Sequence, residues 1–138
     1  MVFMFDGGRG QSSLEFLLLL LGFFSALAIL LPAISFSMDA FFEANDTALA
    51  KQIAERVQST AGDFDFFGNG SKTVFEFVPA RSIIVSSDGR SIFFATSSKR
   101  FEVIFAVPQN FQLKEFKEKF FVELGKENGA VVFKSYSN

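Results

Sequence analysis

Few residues in this chain could do chemistry. Histidine and cysteine are both absent, which removes the usual neutral-pH acid/base group, the thiol nucleophile, the commonest zinc ligands and any disulfide. Carboxylates and amines remain. Asp63, Asp65 and Asn69 lie together in "DFDFFGNG" and could offer oxygens to Ca²⁺. The ligand spacing of a known calcium loop is missing, however, and loop solvation accounts for them. The acid that does not suit its surroundings is Glu15, in "SSLEFLLLLLGFF". An uncompensated carboxylate well inside hydrocarbon costs on the order of 2 to 3 kcal/mol, less near a helix end. Either Glu15 is an acid at a helix N-terminus, favoured by the macrodipole at a membrane surface, or it awaits a positive charge supplied from elsewhere.

The element that carries it is apolar. From Phe16 to Met38 no residue is charged and most are Leu, Phe, Ile or Ala, so as a helix the stretch spans about 30 Å of hydrocarbon and can cross a membrane once. The competing reading is a secretory signal, with "SALA" at Ser25–Ala28 as a weak small-x-small site. Cleavage there would leave the apolar stub "ILLPAISF" at the new terminus. Pro32 removes the backbone bond to the carbonyl of Ala28, so a bend or local loosening is expected. Beyond it Phe42, Leu49, Ile53 and Val57 recur at helical spacing among Asp39, Glu43, Lys51, Glu55 and Arg56. This predicts an amphipathic extension over 39–62 that stops near Gly62 in a left-handed C-terminal conformation.

Residues 63–138 read differently. "TVFEFV" (Thr73–Val78), "SIIVS" (Ser82–Ser86), "SIFFAT" (Ser91–Thr96) and "FEVIFAV" (Phe101–Val107) have strand character. Asp88-Gly89 suits a tight two-residue hairpin turn. In the tail, helical and hairpin patterns compete. The reading adopted is a short irregular or helical piece near Asn110–Phe116, then a hairpin of "KFFVEL" and "AVVFKSY" about "GKENG". The expected fold class is α+β: a long N-terminal helix on one small antiparallel sheet of five or six strands. Charged residues in those strands, and the "KEFKEK" run, read as solvated faces. The 22 phenylalanines, beside one Tyr and no Trp, fill ordinary core positions or serve an aromatic assembly core.

Composition narrows the function classes. A chain of 138 residues holds one modest head besides a membrane-length segment. A net charge of -2, mixed along the chain, lacks the basic footprint of a nucleic-acid binder. No cofactor or metal is expected, and no catalysis. Two sequons, Asn45-Asp46-Thr47 and Asn69-Gly70-Ser71, are possible N-glycosylation sites.

The opening stretch then reads as a unit. Arg9-Gly10 followed by Gln11-Ser12-Ser13-Leu14-Glu15-Phe16-Leu17-Leu18-Leu19 resembles the class III signal peptide of archaeal type IV pilins, a basic-Gly pair before Q-x-S-x-E-x-x-x-L. Gln11, Ser13, Glu15 and Leu19 fill its four defined positions. The resemblance covers about eleven residues. It implies cleavage between Gly10 and Gln11 by a membrane-embedded prepilin peptidase, with residues 1–10 as the leader and 11–38 retained as a transmembrane and filament-core helix. The leader departs from the family pattern in being apolar, with Asp6, and with Arg9 as its one basic side chain. The resemblance further implies that Glu15 pairs with the new α-amino group of a neighbouring subunit, so that cleavage creates the charge that makes this acid tolerable. The partners implied are other pilin subunits, the peptidase, and an assembly ATPase with its platform protein. The precursor would sit in the cell membrane with its head outside, and the product in a surface filament. A membrane-anchored extracellular binding module that never polymerises is the alternative; a swimming filament subunit shares the processing but has a different start.

Overall fold

The computed structural model describes residues 7–137, with side chains from residue 13 onward. Helix α1 (Gly7–Asp63) is followed by a 3₁₀ turn (Phe64–Phe66) and strands β1 (Lys72–Phe77), β2 (Ile83–Asp88), β3 (Ser91–Ala95), β4 (Arg100–Ile104), β5 (Lys114–Phe116), β6 (Phe120–Glu127) and β7 (Ala130–Ser137). The fold class is α+β. The chain divides into two compact units, Met1–Asp39 and Ala40–Asn138.

In the second unit the helix buries Asp46, Ala50, Ile53, Ala54 and Val57, a spacing of three and four that keeps one stripe inward. Of the four expected stripe residues, Ile53 and Val57 are fully buried, while Phe42 and Leu49 are half-buried at the margin. Seven strands form two antiparallel sheets, in the orders β1-β6-β7 and β4-β3-β2-β5. The inward positions, alternating as strand geometry requires, are Phe77, Phe120, Val122, Leu124 and Phe133 from one sheet. Ile83, Val85, Ile92, Phe94, Val103 and Phe116 come from the other; these side chains, the helix stripe and Phe64 make a single core. Phenylalanine supplies much of its ring packing, including a stacked Phe116–Phe120 pair with centroids 4.5 Å apart and an edge-on Phe94–Phe133 pair at 5.9 Å.

Several expectations need correction. One sheet of five or six strands was expected and two sheets are present, because the chain does not turn back after β1: Phe77 pairs with Phe120 of β6, and the chain crosses to start the second sheet. Of the two alternatives for Asn110–Phe116, irregular or helical, residues 110–113 are irregular. The last residues of that piece form β5, which extends the second sheet at β2 with Ile83 opposite Phe116. β4 ends at Ile104, short of Val107. The β2–β3 turn consists of Gly89-Arg90, closed by the pair Asp88–Ser91. Gly89 has φ +59 while Arg90 is not among the positive-φ residues, the pattern of a type II′ turn with glycine first. The final hairpin turns on two residues only, Asn128 (φ 51) and Gly129 (φ 81), the doubly left-handed type I′ signature; Gly125, Lys126 and Glu127 remain in strand. α1 stops one residue past Gly62, which is not left-handed.

Candidate functional site

The described residues of the first unit are all helical. Its segment from Ser13 carries an apolar window of mean hydropathy 2.6 of which none is buried by the protein. Phe16, Phe23, Phe24, Leu30 and Phe36 are among the side chains exposed by more than half. One helix near the N-terminus is thus long and apolar enough to span a membrane. Two of its hydroxyls are satisfied within the helix: Ser25 Oγ donates to the Leu21 carbonyl at 2.8 Å and Ser37 Oγ to the Ala33 carbonyl at 2.9 Å, the bond to the preceding turn that serine can make in its own helix. Helical structure continues through Pro32.

Of the motif residues, Ser13, Glu15 and Leu19 are exposed on this helix. Glu15 and Leu19 are four apart and share a face, and Gln11 precedes Glu15 by the same interval. Among the described residues no hydrogen bond or ion pair engages the Glu15 carboxylate. The side chains of Arg9 and Gln11 lie outside the described residues, as do residues 1–6 of the expected leader; positions 7–12, Gly10 among them, are described only as helical backbone. Asn45 is exposed on the outer face of α1 and Asn69 on the loop before β1.

The head is held by polar clamps that sequence reading missed. Asp46 is 1% exposed, inside the helix stripe. One of its carboxylate oxygens accepts the backbone N–H of Ala80 at 2.6 Å; the other accepts those of Arg81 and Ser82 at 2.8 and 3.2 Å. Three consecutive amides of the β1–β2 crossover therefore converge on one buried carboxylate, which satisfies both partners. The only hint in sequence was an acid at a stripe position, 46, four before Ala50.

One turn earlier, Glu43 accepts hydrogen bonds from Ser97 Oγ, from the Ser98 N–H at 3.1 Å and from Ser98 Oγ at 2.7 Å. These donors, Ser97 first, hold its carboxyl below the ordinary range, against an opposing effect of desolvation. Glu43 thereby fixes the β3–β4 turn to the helix.

Gln109, 6% exposed, lies against the outer edge of β7. Its Nε2 donates to the Val131 carbonyl at 2.9 Å, and its Oε1 accepts the Phe133 N–H at 3.1 Å. The side-chain amide thus takes the hydrogen-bonding place of a neighbouring strand and closes an edge that would otherwise be free to pair.

Lys126 completes the set. Its ammonium donates to the carbonyls of Phe64 at 2.7 Å and Phe67 at 2.9 Å, and more weakly to that of Asp65 at 3.5 Å. α1 has no basic residue in its last turn, so β6 supplies the cation that a helix C-terminus favours. Among the described residues no group of three His, Cys, Asp or Glu side chains converges as a metal site. A shallow surface concavity runs along Ala40, Ala44 and Ala48 of α1 to Phe101 of β4, with Glu43, Lys51 and Lys99 also in its lining.

Comparison with protein-family models, with curated proteins and with solved structures finds no match for this chain.

Proposed function

We propose that this chain is a structural subunit of an archaeal type IV pilus-like surface filament, processed after Gly10 and polymerised through its N-terminal helix. The observation that carries the reading is Glu15, an acid at motif spacing with Gln11, Ser13 and Leu19, on a helix whose apolar surface none of the described residues covers. A helix apolar all round is stable only within lipid or among other helices. Processing before Gln11 would generate an amine one helical turn from Glu15. Between neighbouring subunits staggered along a filament, that amine and the Glu15 carboxylate would neutralise each other where water is scarce. The chain catalyses no reaction in this reading. A prepilin peptidase trims it, an ATPase and platform protein drive assembly, and other pilin copies are its lasting partners.

Two measurements test this. Mass spectrometry of sheared surface material should find a mature terminus at Gln11. An intact Met1 confined to membranes would favour the non-polymerising anchored module, and a terminus near Ile29 would make the segment a secretory signal. Glu15→Leu should abolish filaments while the protein still accumulates in the membrane; normal filaments from that variant would remove the pairing role.

A further inference from the structure

The chain contains two Asn-Gly steps, Asn69-Gly70 and Asn128-Gly129. Asparagine is a heat-labile residue, most of all before glycine. The glycine backbone nitrogen, unshielded by a Cβ, attacks the asparagine side-chain carbonyl carbon. A ring C–N bond forms, the bond to the side-chain NH₂ breaks, and ammonia leaves with the proton given up by the glycine nitrogen. Water then opens the succinimide to aspartate or isoaspartate, and isoaspartate adds a methylene to the main chain. At Asn128 that would fall in the two-residue turn joining β6 to β7, whose register runs from Glu127–Ala130 to Phe120–Ser137.

Both glycine nitrogens are engaged, in different ways. The Gly70 N–H donates to the Lys126 carbonyl at 2.8 Å, while the Lys126 N–H returns to the Ser71 carbonyl at 2.9 Å. Backbone pairing therefore ties the first step. The Gly129 N–H donates to Asn69 Oδ1 at 2.8 Å, so a single side chain ties the second, across 60 residues of sequence. Attack requires this nitrogen to lose its proton and its peptide plane to rotate toward the Asn128 side chain. A bond to an acceptor on another loop opposes both.

We propose that Asn128 is a latent deamidation site and that the Asn69 carboxamide guards it by holding the Gly129 N–H. Asn69 then has a task independent of glycosylation and of filament assembly: it preserves the chemical lifetime of the final hairpin.

The test uses the full chain in detergent micelles, incubated in mildly alkaline buffer below its unfolding temperature, with the Asn128 peptide followed by mass spectrometry. Asn69→Ala should raise the deamidation rate at Asn128 about fivefold, the population change set by one ordinary net hydrogen bond. Asn69→Asp retains an oxygen acceptor and should stay at the wild-type rate. Hydrogen exchange at the Gly129 amide should be slow in wild type and Asn69→Asp and fast in Asn69→Ala, with exchange at the core residue Phe94 unchanged. Equal deamidation rates in wild type and Asn69→Ala would overturn the proposal. So would a parallel rise in exchange at Phe94, which would assign the effect to general opening.

Discussion

The N-terminal helix and the head use the same residue types to opposite effect. In the first unit Phe and Leu project around the whole helix and none of the apolar window is covered; in the head, Phe64, Phe94 and Phe120 are fully buried with Ile53, Ile83 and Leu124. The difference is one of patterning rather than composition. In the head, charges alternate with apolar residues at helical or strand period, so each element has an inside and the chain can bury it alone. From Phe16 to Met38 no charge interrupts the run. Among the described residues that helix segment has no buried apolar side.

The sharpest way to break this comparison is to truncate one phenylalanine in each region. Phe94→Ala removes a fully buried ring and should cost the head about 3 to 5 kcal/mol in denaturant unfolding. Phe24→Ala, on the exposed helix, should leave that same transition within about 0.5 kcal/mol of wild type. A large shift from Phe24→Ala would mean that the helix has an inside after all.

A smaller effect probes the polar clamps. Asp46→Ala leaves three crossover amides without their acceptor and should destabilise the head by about 3 kcal/mol. Asp46→Asn, which keeps one oxygen, should cost less. If Asp46→Ala unfolds at the wild-type denaturant midpoint, the crossover is fixed by packing alone.

Reading the sequence reached the periodic parts of this fold and stopped where contacts are long-range. The helix stripe through Ile53 and Val57, and strands β1 to β3, follow from local alternation. β5 does not, because three residues leave no period to detect and Phe116 is placed by its pairing to Ile83. The Gly89-Arg90 turn was misplaced by one residue because Asp88-Gly89 also fits a tight turn, and only the Asp88–Ser91 pairing decides between them. Asp46, Gln109 and Lys126 look like ordinary surface polar residues until the chain folds; each binds backbone groups at least 22 residues distant. In the N-terminal segment the motif spacing and the apolar run were both readable, since neither depends on tertiary contact.

The smallest expected effect concerns Glu43, which holds the β3–β4 turn through exposed hydrogen bonds. Its carboxyl lies below the ordinary value of 4.5 because Ser97 and Ser98 donate to the ionised form. The folded state therefore binds this proton less readily than the unfolded chain. The stabilisation is complete above about 4.5 and disappears as the pH falls through the lower folded-state value. Glu43→Gln keeps a neutral acceptor but no charge, so wild type should be the more stable at neutral pH, with the gap closing in acid. Melting curves of the two proteins across that range measure it. A gap that stays constant would show that the turn needs the shape of the side chain and not its charge, and the contrast between the solvated Glu43 clamp and the buried Asp46 clamp would then be one of burial alone.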